Sequence, residues 1–265
     1  MWNKRKKFSA IIRFSSLKLL LALSVNGHAV YLSEQGIQSV SETAWEQMKA
    51  YFPISEDFSK RAQLKCIAAE IIRQLDEPFI GYNWEVELFE NPAVNAFALA
   101  NGKIGIYTGL YSAAKNQDEL ATIIGHEIAH IINKHSHKGI NRKIRTEIGM
   151  AISKVAIGSY ITNSQIGTIN IMTEMLSTYG LDLPFERNQE TEADKEGLRL
   201  MAAAGFNPLA SLDVWKKMQD EKNSQNLEFF SSHPLHRNRR KVLANQLSNP
   251  LKLYIDAERR PRCTH

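Results

Sequence analysis

The stretch from Asn116 to Ile131, NQDELATIIGHEIAHI, constrains this chain more than any other. Asn116 can cap a helix, and Glu119 three residues later supplies the second half of a capping box. Leu120, Ile123, Ile124, Ile128 and Ile131 recur at helical spacing and form a stripe to be buried. His126 and His130 stand four residues apart on the same helix, on one face and about one turn apart. Glu127 projects about 100° around the axis from His126. Gly125 and Ala129 are small, so other segments can approach this surface closely.

Two imidazoles at that spacing can hold one tetrahedral cation, with Glu127 beside it, close enough to hold a water without becoming a ligand. A His-rich helix also produces the H-E-x-x-H pattern by chance, so the surroundings decide. A catalytic zinc site needs a third protein ligand and an open position. A third histidine three residues past a helix-breaking glycine is excluded, because Asn133 and Ser136 occupy those places. His137 would lie roughly 10 Å further along a continuous helix. His135 and His137 therefore read as exposed polar groups at a fraying helix end. The other solution is a glutamate on a second helix, with an aspartate one turn later to orient a ligand histidine. Among the glutamates after His130, Glu190 has Asp194 at the fourth following position, whereas Glu147, Glu174 and Glu192 are followed there by Ala151, Thr178 and Glu196. Two imidazoles and a carboxylate suit zinc best.

The remaining chain predicts an α+β fold that is mainly α. Residues from about Gly36 to Glu77 show helical periodicity. Trp84 to Leu88 alternates as a half-buried strand does. Asn95 to Leu99, the Asn101-Gly102 turn and Ile104 to Tyr107 follow, giving a small antiparallel sheet just before the His-Glu helix. Pro184 opens a helix that Gly205 ends as a left-handed cap, with Phe206 as its apolar partner. Another helix starts at Asn207-Pro208. The stretch from about 140 to 183 is helical in flavour but has no assignable layout.

At 265 residues and 43% hydrophobic, the chain can bury one good core. Its net charge of +5 owes much to Lys4-Arg5-Lys6-Lys7 and to Arg237, Arg239, Arg240 and Lys241. Clusters at the two ends read as a targeting region and a solvated helix face, so no nucleic-acid partner is expected. Residues 1–29 read as a secretion signal, with the apolar run Leu19 to Val25 before Gly27-His28-Ala29; uncleaved, the same segment would be an interfacial anchor. Residues 30–250 then form one domain and 251–265 a polar tail. Cys66 and Cys263 could pair in an oxidising compartment, and the sequence leaves that open.

With these residues in place the chain resembles the gluzincin metallopeptidases of family forty-eight, relatives of the CAAX prenyl protease. It is most similar to their soluble bacterial envelope branch, the BepA- and LoiP-like proteases. The likeness runs from about Trp84 to Arg240. It rests on Val94 to Ala98 before an Asn-Gly turn, Gly125 to His130, Glu190 to Asp194, and His233-Pro234 with Arg239 five residues past the proline. The resemblance implies a zincin-like domain with one zinc ion held by His126, His130 and Glu190, and Glu127 as the catalytic base. It makes Asp194 the carboxylate behind a ligand histidine. It places His233 near the metal, either stabilising an oxyanion or closing the fourth position at rest, and Asn95, Ala96, Phe97 and Ala98 on a substrate-binding edge strand. Arg239 is expected to hold the His233 loop through an ion pair.

Hydrolysis of peptide bonds in unfolded or misassembled envelope proteins, in the periplasm and with the outer membrane as a neighbouring surface, is the function that follows. The rival from another class is a zinc-stabilised chaperone or assembly factor that binds such proteins without cutting them. The intact Glu127 argues for the enzyme.

Overall fold

The structure is a computed structural model that describes residues 23–26, 29–142, 185–220, 229–234 and 239–264. Most of the expected signal segment and the stretch 143–184, including Pro184, lie outside the described residues. The first described elements are β1 (Leu23–Asn26) and β2 (Ala29–Leu32), an antiparallel pair.

The helical periodicity between Gly36 and Glu77 resolves into two helices, α1 (Glu34–Tyr51) and α2 (Phe58–Ile72). Ser33 caps the first by accepting from the Gly36 N–H, and Asp57 caps the second by accepting from Lys60 N–H. The break falls at Phe52-Pro53, where a proline forces the preceding residue into extended backbone. The chain there runs beside β3 (Glu85–Phe89): Glu90 N–H donates to Pro53 O and Ser55 N–H to Leu88 O.

Strands β4 (Ala96–Leu99) and β5 (Lys103–Tyr107) form the expected hairpin, with Gly102 at φ +87° in its turn. The sheet order is β3-β5-β4, and β3 runs parallel to β5. The sheet is therefore mixed, not wholly antiparallel. The hairpin uses one edge of β5; β4 and its flanking loops carry the chain back, so β3 meets the other edge in the same direction. Alternation sorts the strands between two layers. Val86, Leu88, Ala96, Ile104 and Ile106 face the main core, whereas Phe89, Phe97, Leu99 and Tyr107 join Trp45 of α1. A Cβ on Gly105 would lie 2.0 Å from the Phe97 ring, so only glycine lets that ring cross β5.

A short helix α3 (Leu110–Ala113) leads into α4 (Gln117–Ile132), which carries the His-Glu motif. Asn116 caps it, accepting from the Asp118 and Glu119 N–H groups. The Glu119 carboxylate reaches one residue further back than a capping box requires, to Lys115 N–H, and also accepts from Lys217. Helix α5 (Arg187–Ala203) packs along α4. It starts with a Glu186–Gln189 capping box and ends as expected: Phe206 N–H donates to Met201 O and Gly205 N–H to Ala202 O, with Gly205 at φ +87°.

Helices α6 (Ala210–Asp220), α7 (Phe229–Ser232), α8 (Arg239–Gln246) and α9 (Ser248–Asp256) complete the described fold. The segment read as a polar tail is partly α9 and partly a strap over the core. Cys263 is buried and bonded to Cys66, and Gln63 and Gln117 bond its backbone. The glutamines supply polar partners that composition did not reveal. Among the described residues, no helix is long and apolar enough to cross a membrane.

Candidate metal centre

Two glycines set the geometry. A Cβ on Gly197 of α5 would lie 2.9 Å from the backbone of Gly125 and His126, so α4 and α5 meet backbone to backbone. At that distance short side chains on facing turns touch. His126, Glu127 and His130 on α4 are buried against Glu190 and Asp194 on α5. The loop bearing His233 closes over them: Phe229 N–H donates to Val94 O, beside β4, and Phe185 N–H, before α5, donates to Ser232 O.

Four side chains converge. His126 Nε2 lies 3.0 Å from His130 Nε2 and 3.2 Å from His233 Nδ1. Glu190 Oε1 lies 3.3 Å from His130 Nε2 and 3.1 Å from His233 Nδ1, and its Oε2 is 3.6 Å from His126 Nε2. A tetrahedral ion with ligand bonds of about 2.0–2.1 Å separates neighbouring ligand atoms by about 3.3–3.4 Å. The four distances among His126 Nε2, His130 Nε2, His233 Nδ1 and Glu190 Oε1, 3.0 to 3.3 Å, are close to that edge length. Charge agrees with shape: among the described residues, Glu127, Glu190 and Asp194 face one guanidinium, that of Arg239, in a buried space, and a divalent cation would neutralise the remainder. The residues present thus fit a metal ion, with His126, His130, Glu190 and His233 as the group able to hold it.

Asp194 and Arg239 lie beside these four side chains. Asp194 Oδ1 lies 3.1 Å from His126 Nδ1, which leaves Nε2 facing the centre. Arg239 grips Asp194 with two hydrogen bonds of 2.6 and 2.8 Å, and its other terminal nitrogen is 3.3 Å from Glu190 Oε2. The guanidinium lies 3.6 Å from the Trp215 ring centroid, in cation–π contact. Aromatic rings hold two of the imidazoles: Phe185 stacks on His130 and Phe229 on His233.

Burial and charge pull the titrating groups apart. At His126 burial opposes protonation, but Asp194 and Glu190 outweigh it and raise the pKa to about 9. Burial takes His130 well below the usual histidine value. Burial would raise both Glu190 and Asp194, yet the neighbouring His233, His126 and Arg239 charges hold both below the ordinary carboxylate range. Glu127 moves the other way. Burial raises it, its two oxygens accept no hydrogen bond, and His233 Nε2 lies 3.4 Å from Oε1. A carboxylate in that state is the most basic acidic group of the site.

His135 and His137 are not exposed. Lys134 takes a left-handed conformation, φ 55°, directly after α4 and folds the chain back. His135 is fully buried, with Nδ1 3.0 Å from His130 Nδ1 and Nε2 3.0 Å from Glu192. His137 contacts Glu34 at the start of α1. The expectation of exposed groups at a fraying helix end does not hold, because the turn at Lys134 buries both rings. A residue with no glycine's freedom gave no sign of the turn. The nearest signal was the alternation of carboxylates at 190, 192 and 194, of which Glu192 was set aside for lacking an aspartate one turn on.

The four residues expected on a substrate strand lie on and just before β4, which packs against α4. Asn95, Ala96 and Phe97 are buried and Ala98 is half-buried. The Phe97 ring belongs to the aromatic layer under α1 and is not presented outward.

A helix pair bearing H-E-x-x-H on one member and a glutamate on the other, beside a small sheet, defines the zincin-like class of metallopeptidase domains. A model of peptidase family M48 matches residues 59–247, and the chain belongs to that family. The mitochondrial metalloendopeptidase OMA1 of Arabidopsis thaliana is 33% identical over 180 residues, 67% of this chain and 35% of that protein. The metalloprotease LoiP of Escherichia coli is 25% identical over 226 residues, 83% of this chain and 84% of that protein. The beta-barrel assembly-enhancing protease of Yersinia pestis is 24% identical over 201 residues, 71% of this chain and 39% of that protein. The resemblance to LoiP and to the beta-barrel assembly-enhancing protease thus holds, alongside mitochondrial relatives that the sequence motifs had not suggested. The chain spans about half or less of the length of the mitochondrial proteins it matches.

Proposed function

We propose that the chain is a zinc-dependent endopeptidase that cleaves unfolded or misassembled proteins of the cell envelope. The observation that carries this reading is the convergence of His126, His130, Glu190 and His233 with the buried carboxylate of Glu127 beside it. One zinc ion per chain, held by His126, His130 and Glu190, would polarise the scissile carbonyl and make a water nucleophilic near neutral pH. Glu127 takes the proton of the attacking water and delivers it to the leaving amine nitrogen. Asp194 fixes the ring of His126, and Arg239 fixes Asp194 while balancing its charge.

Strand β4 supports a main-chain docking role for Asn95 to Ala98. The outer edge of β3 is covered by residues 53–55, whereas among the described residues no strand pairs with the outer edge of β4. A peptide added there would be held by ladder hydrogen bonds with loose side-chain demands, which suits unfolded substrates.

The contacts of His233 Nδ1 with His126 and Glu190, at 3.2 and 3.1 Å, support its taking the corner that a catalytic site keeps open. This favours a resting lock over a standing oxyanion donor. The same closure supports the second reading, a zinc-stabilised chaperone that binds without cutting. Residues 1–29 as an export signal, the Cys66–Cys263 bond, suited to an oxidising compartment, and the relatives' names support the periplasm as the site of action.

Casein cleavage separates these readings. The endopeptidase reading expects cleavage by wild type and a loss of about 10²–10⁴-fold in Glu127→Gln with zinc retained. Faster cleavage by His233→Ala supports the lock, and slower cleavage an oxyanion role. If wild type and His233→Ala never cleave, yet wild type and Glu127→Gln both suppress aggregation, the chaperone reading stands instead.

A further inference from the structure

The two ligand histidines of α4 are supported unequally. His126 has a carboxylate directly behind it, Asp194 at 3.1 Å. His130 has another imidazole behind it: its Nδ1 lies 3.0 Å from Nδ1 of His135, whose Nε2 lies 3.0 Å from Glu192 Oε2. We propose that His135 and Glu192 form a positioning relay for the metal ligand His130, with His135 linking ring to carboxylate across a gap Glu192 does not span. The inference rests on the metal-centre reading above and adds residues to it.

Backbone geometry makes the relay specific. In a continuous helix, a residue five positions after His130 would sit about 7.5 Å along the axis and well around its circumference. The left-handed Lys134 ends that path and returns His135 onto the ring one turn below. A non-glycine residue in this region is uncommon and costs about 1 kcal/mol or more, so the surrounding contacts must hold it there. His135 is fully buried and spends both ring nitrogens on the chain.

The tautomers follow from the donor count. With Nε2 of His130 facing the centre as a ligand, its proton is on Nδ1, which donates to Nδ1 of His135. The proton of His135 is then on Nε2, which donates to Glu192. Each ring has one tautomer and one orientation, as an outer partner imposes on a ligand imidazole. Helix α5 thereby supplies a ligand and both terminal carboxylates: Glu190 reaches the centre, Asp194 backs His126, and Glu192 backs His130 through His135. The two relays end differently. Asp194 is buried under Arg239, whereas the Glu192 side chain is 58% exposed. The His130 arm is thus the one whose last member can be changed with little effect on the core.

Zinc affinity, read by competition with a chromophoric chelator at fixed pH, tests the relay without using activity. His135→Ala should weaken zinc binding about 10- to 100-fold, the usual effect of losing an outer partner. Glu192→Ala should weaken it less, and the double variant should bind no more weakly than His135→Ala, because Glu192 acts only through that ring. His135→Asn, whose Oδ1 stands where Nδ1 was, should recover most of the affinity and make it indifferent to Glu192. Circular dichroism and thermal melting of the metal-free variants separate misfolding from a lost ligand support. Should His135→Ala fail to fold, Glu192→Ala and His135→Asn carry the test. Wild-type affinity in folded His135→Ala, or additive losses in the double variant, overturns the relay and leaves the metal centre intact. A wild-type chain that binds no zinc overturns the metal centre itself, and the relay with it.

Discussion

The seam between α4 and α5 and the layer between α1 and the sheet are both buried, but they are made of opposite materials. The seam is built from Gly125, Gly197, three imidazoles, three carboxylates and Arg239. The layer is built from Trp45, Phe89, Phe97 and Tyr107, with ring centroids 5.6 to 6.4 Å apart in edge and stacked contacts. Apolar area removed from water stabilises the layer at about 25 cal/mol per Å². The seam adds buried charges, which must find partners or raise the energy of the fold. The layer is stabilised by its own apolar contacts, whereas the charged seam is held in place by the main core, to which α4 and α5 contribute Ile124, Ile128, Leu198 and Met201. The small side chains at the seam are what bring ligands from two helices within reach of one ion.

Three substitutions probe that division. Arg239→Ala should have the largest effect, because it strands Asp194 without its guanidinium in a buried space. A loss of about 3–5 kcal/mol in urea denaturation is expected, together with weaker zinc binding. Trp45→Ala should cost nearly as much stability, about 3–5 kcal/mol, while the zinc affinity of the folded fraction stays at the wild-type level. Equal loss of zinc affinity in both would erase the distinction. Gly197→Ala should cost less, about 1–3 kcal/mol, because the new methyl group pushes against the backbone of Gly125 and His126. Its zinc affinity should nevertheless fall further than that of Trp45→Ala, which a calorimetric titration would show.

How much of this was readable beforehand follows the same division. The periodic stripe, the Asn116 cap and the Gly205 ending were legible because each is a local rule written in adjacent residues. The approach of Glu190 and Asp194 to the histidines of α4 was legible because a third ligand was sought and few spacings could supply one. His135 was not, because its place depends on the left-handed backbone at Lys134, a residue type that gives no such signal. The parallel pairing of β3 with β5 was hidden for a related reason: alternation fixes which face a side chain takes, not which strand lies next to it. The strap around Cys263 depends on Gln63 and Gln117, far away in the chain. Contacts of that length leave no mark in composition.

The central claim is that α4 and α5 together hold one cation through His126, His130 and Glu190. Zinc content of the purified, dialysed chain tests it most directly, with wild type, Glu127→Gln and Glu190→Ala measured side by side. The account predicts about one zinc per chain in the first two and little in the third. Zinc retained undiminished by a folded Glu190→Ala, or absent from wild type reconstituted with the metal, would contradict it.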